Sequence, residues 1–102
     1  MGYSTLFDLS GKTALVTGAR KGIGFAMASV LAEFGADIIA VSSQQSPEDE
    51  LAKIVKGHGR KFESFAVDLR NRDETKSFIS KVVDRPIDIL VNNAGQIGRA
   101  HV

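Results

Sequence analysis

Residues 15–27 read LVTGARKGIGFAM, an apolar run that passes through Gly18, Gly22 and Gly24 into a segment with helical spacing. Glycine weakens both strand and helix interiors, so three of them at such a junction need a reason. A helix N-terminus presents unpaired backbone N–H groups and a partial positive charge. Just beyond a parallel strand it suits a phosphate group. Glycine lets that group reach the backbone where a side chain would hold it off. A turn that uses glycine only for its backbone angles accounts for one such residue better than for three.

Working outward, Thr13–Thr17 is short, apolar and β-branched, and it reads as a buried strand. Ile23, Met27, Val30, Leu31 and Phe34, with Ala26 beside them, predict the apolar face of the helix that follows, and Gly35 closes it. A second strand runs from Ala36 to about Ser42. Ser46-Pro47 then opens a helix, with Glu48 and Asp49 beside its positive end and Leu51, Ile54 and Val55 as its stripe. Phe62, Phe65 and Val67 mark a third strand within KFESFAVDL. Asn71 and Glu74 resemble a capping box before a helix whose face is Thr75, Phe78, Ile79, Val82 and Val83. Pro86 stops that helix, and IDILVNN forms the fourth strand. The order β-α-β-α-β-α-β predicts an α/β chain, a Rossmann-like doubly wound parallel sheet with helices on both faces.

Size and composition agree with one small domain or part of a larger one. The chain has 102 residues, 43% of them hydrophobic and 25% charged, enough apolar matter for a core. A net charge of +1 gives no general attraction to nucleic acid or to an anionic membrane, so neither is expected as a partner. Cysteine is absent, which excludes disulfides and thiolate chemistry. The opening MGYSTLFDLSGK has no apolar core of a secretion signal. No apolar run reaches the roughly 18 residues of a membrane span, and a cytoplasmic location is the expectation.

The glycines do not follow the common G-x-G-x-x-G spacing. TGARKGIG (17–24) instead resembles the cofactor loop T-G-x-x-x-G-I-G of the short-chain dehydrogenase/reductase family. NNAG, Asn92 to Gly95, matches that family's N-N-A-G at the end of strand four. Asp68, in VDL, matches its aspartate near the adenine. The likeness covers almost all of residues 6–96. It implies that Gly18, Ala19, Arg20, Lys21, Gly22, Ile23 and Gly24 surround the pyrophosphate and adjoining ribose of a dinucleotide, with Thr17 bracing the turn. Asp68 and Leu69 would lie along the adenine. Asn92, Ala94 and Gly95 would line the path to the nicotinamide ribose, with Asn93 tying strands together.

An acid at the end of strand two would bond the ribose 2′-hydroxyl and repel a 2′-phosphate. Ser42 and Ser43 stand there instead. Serine can bond a free ribose, whereas Arg20 and Lys21 could attract an extra phosphate. The cofactor is therefore expected to be NAD or NADP.

The resemblance implies a catalytic tyrosine with a lysine four residues on, an upstream serine and a helix asparagine, all beyond the N-N-A-G segment. Tyr3 is the only tyrosine, and Phe7 stands where its lysine would be. His58 and His101 have neither metal-ligand spacing nor a nucleophile partner. No catalytic residue or metal site is assigned, and this chain alone is expected to be inactive. Residues 1–102 are read as a partial NAD(P)-binding domain. QIGRAHV lacks structural logic, and Ile97–Val102 read either as a non-native tail, since a common sequencing adapter encodes the same residues, or as a genuine segment.

Within the family the pattern looks most like bacterial sugar-acid dehydrogenases. That implies a small substrate such as 2-deoxy-D-gluconate, with gluconate or a 3-oxoacyl carrier-protein thioester as alternatives, and a homo-oligomeric parent. A nucleotide-binding module without catalysis and a non-functional fragment are the competing readings.

Overall fold

Three short apolar runs and the mixed segment Phe62–Ala66 become the strands of one parallel sheet, and the segments between them become its helices. The computed structural model describes residues 8–45 and 48–93. In chain order the elements are β1 (Thr13–Thr17), α1 (Gly22–Glu33), β2 (Asp37–Ser42), α2 (Glu50–Gly57), β3 (Phe62–Ala66), α3 (Arg72–Val82) and β4 (Ile89–Asn92). The sheet order is β3-β2-β1-β4. Val16 of β1 stands beside Ala40 of β2 and Val91 of β4, and all three pairings are parallel.

Side chains alternate across the sheet, and the two faces build separate cores. Ala14 and Val16 join Ala28 and Ala32 of α1 and Leu51 and Val55 of α2. Leu15, Ile39 and Val41 join Phe78 and Val82 of α3 on the other face. Phe65 meets Phe78 edge-to-face at 5.1 Å between ring centres, which seats α3 against β3. The expected α/β, Rossmann-like doubly wound sheet is the one observed.

Three expectations about the helices are corrected. α1 does not bury Ile23, Met27 and Val30, which are 72%, 42% and 48% exposed. It buries the small residues Gly24, Ala28 and Ala32 instead. The helix lies close to the sheet through these small residues, so Ile23, Met27 and Val30 are turned outward, while Phe25 and Leu31 pack against the core only in part. α3 likewise buries Phe78 and Val82 but leaves Ile79 and Val83 exposed. α2 begins at Glu50, after an Asp49 cap whose carboxylate accepts the Ala52 N–H at 3.0 Å. Ser46 and Pro47, expected to start it, lie outside the described residues.

Candidate functional site

After β1 the chain builds outward through β2 and β3, then returns to place β4 on the far side of β1. That reversal opens a crevice at the carboxyl ends of β1 and β4, the usual ligand position in such sheets. Residues from four segments converge there.

The β1–α1 junction carries two backbone conformations that L side chains rarely adopt, at Gly18 (φ +63°) and Gly22 (φ +68°). Gly18 donates its N–H to the Val41 carbonyl at 2.7 Å, which fixes the turn to β2. A β-carbon on Gly22 would meet nothing within 4 Å, so open space lies over the start of α1. Lys21 occupies the cap position of α1 in an extended conformation without a side-chain cap bond, and the first turn holds no acid. By contrast, α2 and α3 are capped by Asp49 and Asn71 and carry acids in their first turns. The exposed N–H groups of α1 are thus offered to an external acceptor.

Thr17 holds this turn to β4. Its hydroxyl accepts the Asn93 N–H at 2.8 Å and approaches Asn92 Oδ1 at 3.1 Å. Asn93 Nδ2 reaches the Gly18 carbonyl at 3.4 Å. Asn92 is exposed and Asn93 half-buried, whereas Ala94 and Gly95 lie outside the described residues. Ala19 is fully buried, backbone included, and belongs to the core. Ile23 is exposed at the first turn of α1.

Beside the turn lies a cavity of about 320 Å³. Gly18, Ser42 and Ser43 contribute to it from the ends of β1 and β2, and Val67, Asp68, Leu69 and Arg70 from the segment after β3. Asp68 Oδ1 accepts the Arg70 N–H at 3.0 Å and Arg70 Nε at 3.2 Å. The Arg70 guanidinium, then the Arg70 amide, hold the Asp68 carboxyl below the usual carboxylate range. Glu74 does not close the expected capping box on Asn71. Asn71 Oδ1 accepts the Glu74 N–H at 3.0 Å, but Glu74 Oε1 accepts the Asp68 N–H at 2.9 Å. The box is half formed, and its other half fixes Asp68. Arg20 Nη1 donates to the Gln44 carbonyl at 2.9 Å and so ties the β1–α1 turn to the loop after β2. Among the described residues no group of three or more acidic or histidine side chains could hold a metal, and no helix is long and apolar enough to cross a membrane.

A profile of the short chain dehydrogenase family matches residues 12–102. The chain belongs to the short-chain dehydrogenase family. It is 50% identical over 97 residues to the 2-dehydro-3-deoxy-D-gluconate 5-dehydrogenase of Pseudoalteromonas atlantica, spanning 92% of this chain and 38% of that one. It is 46% identical over 101 residues to the Bacillus subtilis enzyme of the same name, spanning 97% and 39%. The crystal structure of an Agrobacterium tumefaciens 3-oxoacyl-(acyl-carrier-protein) reductase with NADP bound superposes with a TM-score of 0.77 at 35% identity. That match covers 89% of this chain and 36% of that one. This short-chain dehydrogenase segment therefore spans about two-fifths of the length of the relatives it matches.

The geometry adds residues that the motif reading of the short-chain dehydrogenase segment passed over. Val67 and Arg70 line the cavity, and the Gln44 carbonyl anchors Arg20. Arg70 was open to detection: an aspartate two residues before a backbone N–H is the spacing of an Asx turn.

Proposed function

We propose that this chain is the cofactor-binding part of an NAD(P)-dependent oxidoreductase acting on a hydroxy or keto carbon of a small sugar acid, such as 2-deoxy-D-gluconate or its 2-dehydro-3-deoxy counterpart. One observation carries the reading: the first turn of α1 has neither side-chain cap nor acid, and Gly22 leaves the space before it open. A diphosphate is the group that such a turn suits. Gly18 through Gly24 surround it, with Arg20 and Lys21 adding positive charge at the surface. Ser42 and Ser43 receive the adenosine ribose, and Asp68 and Leu69 border the adenine. Asn92 leads toward the nicotinamide, and the family motif assigns Ala94 and Gly95, outside the described residues, to the same path.

When bound, the nicotinamide ring supplies or accepts the hydride. The residues of this chain bind and orient the dinucleotide, and none of them is assigned the proton transfer that accompanies it. The end of β2 carries no acid against a 2′-phosphate, so NAD and NADP both suit the site. The sugar-acid reading rests on the 50% and 46% identity to two enzymes of that name. A 3-oxoacyl carrier-protein reductase is the second reading, favoured by the likeness to the NADP-bound Agrobacterium structure.

Calorimetric titration of the chain with NADH and NADPH tests the proposal. At least one should bind, and Gly22→Trp should abolish binding while the far-ultraviolet dichroism stays unchanged. A folded chain that binds neither overturns it. Oxidation of 2-deoxy-D-gluconate by this chain alone would overturn the view that the proton-transfer groups lie elsewhere.

A further inference from the structure

The cavity beside the β1–α1 turn has an apolar floor and a charged rim. Val67 is buried and Leu69 half-buried, and both line it. The rim is the turn from Asp68 to Asn71, closed by the Asn71 N–H on the Asp68 carbonyl at 2.9 Å. Asp68 Oδ1 also accepts the Arg70 amide and Nε, so one carboxylate oxygen fixes both the backbone and the side chain of Arg70. The Arg70 side chain nevertheless remains 91% exposed, and neither terminal nitrogen of its guanidinium has a hydrogen bond among the described residues. A planar cation is therefore anchored at its inner end, with its face and two terminal donors unused, at the mouth of an apolar slot.

We propose that Arg70 closes the nucleobase pocket by laying its guanidinium plane against the outer face of the adenine, opposite Val67 and Leu69. The proposal rests on dinucleotide binding by this chain. Guanidinium stacks on aromatic rings through its plane as well as its charge, which an ammonium cannot reproduce. Asp68 acts here as the hinge that orients Arg70. The contact is made to the base alone, so it should not depend on whether the ribose carries a 2′-phosphate.

The test measures dissociation constants of NADH, NADPH and ADP for the chain, for Arg70→Ala and for Arg70→Lys, each at low and moderate salt. Arg70 sits on an exposed turn whose backbone bond to Asp68 survives substitution, and Arg70→Lys keeps the charge and stem should the alanine variant fold poorly. Arg70→Ala should weaken all three ligands by a similar factor, about threefold to tenfold, and Arg70→Lys should not restore affinity. Unchanged affinity in Arg70→Ala overturns the proposal. So does full rescue by lysine, or a loss confined to NADPH or erased by salt, since each marks a simple phosphate contact. A wild-type chain that binds none of the three removes the proposed function and this inference with it.

Discussion

Gly24 faces the carbonyl of Gly18 across the first turn of α1 with no room for a side chain. A β-carbon on Gly24 would overlap the Gly18 carbonyl and stand 3.0 Å from Asn93 Nδ2. Those neighbours are backbone and a side chain already bonded to the same carbonyl, so neither can yield cheaply. Gly24→Ala should therefore destabilise the fold by about 1–3 kcal/mol, the range for overpacking. Gly57, where a β-carbon would meet nothing within 4 Å, is the control. Gly57→Ala should be neutral or stabilising by up to about 1 kcal/mol. Urea midpoints at constant slope decide the comparison, and equal effects at both glycines would refute the close-packing account.

Thr17, itself buried, links the β1–α1 turn to the end of β4 through a single hydroxyl. Thr17→Val keeps the shape but leaves the partly buried Asn93 N–H without its acceptor. The expected loss is about 1–3 kcal/mol. Thr17→Ser, which retains the oxygen, should recover most of it. If valine and threonine give the same unfolding midpoint, the hydroxyl does not brace the site.

The alternation of strands and helices was legible because three of the strands are short apolar runs and each joining segment has helical spacing. The cofactor loop was legible as a motif at the end of a strand. The buried face of α1 was not. Its large residues, Ile23, Met27 and Val30, carry the apolar period, yet Gly24, Ala28 and Ala32 touch the sheet. Periodicity reports which residues share a face, but the separation of helix and sheet decides which face can enter. That separation is set here by the approach of Gly24 to Gly18. The Arg20–Gln44 tie joins residues 24 apart in sequence, and the redirected Glu74 bond depends on where the turn after β3 comes to rest. Neither has a local signature.

Glu63 and Arg85 form an exposed bidentate pair, with Arg85 Nη1 2.9 Å from Glu63 Oε2. The hydrogen bond from Arg85 holds the Glu63 carboxyl below its ordinary value of 4.5. A depressed carboxylate contributes stability that is present above the unfolded-state value and lost as pH falls through the lower folded-state value. Solvent screening limits the pair to below about 1 kcal/mol. Glu63→Gln should accordingly lower the melting temperature slightly at pH 7, and the difference should shrink as pH falls below the ordinary value and vanish once the folded-state carboxyl is protonated. A difference that does not shrink with falling pH would assign the effect to packing instead.

β4 pairs with β1 on one side only, and among the described residues no strand pairs with its other side. Leu90 on this edge is 66% exposed, while Ile89 and Val91 pack against the α1–α2 core. An uncharged edge of this kind leaves backbone donors and acceptors available to another strand and an apolar side chain beside them. The isolated chain should therefore associate as its concentration rises. Leu90→Lys should suppress the association by placing a charge on the edge, with little effect on stability, since Leu90 buries little in the monomer. Sedimentation velocity over a concentration series measures both variants. A wild-type chain that stays monomeric throughout the series would show that this edge is not adhesive. Equal association by the lysine variant would move the contact elsewhere, with the exposed Ile23, Met27 and Val30 of α1 the next surface to substitute.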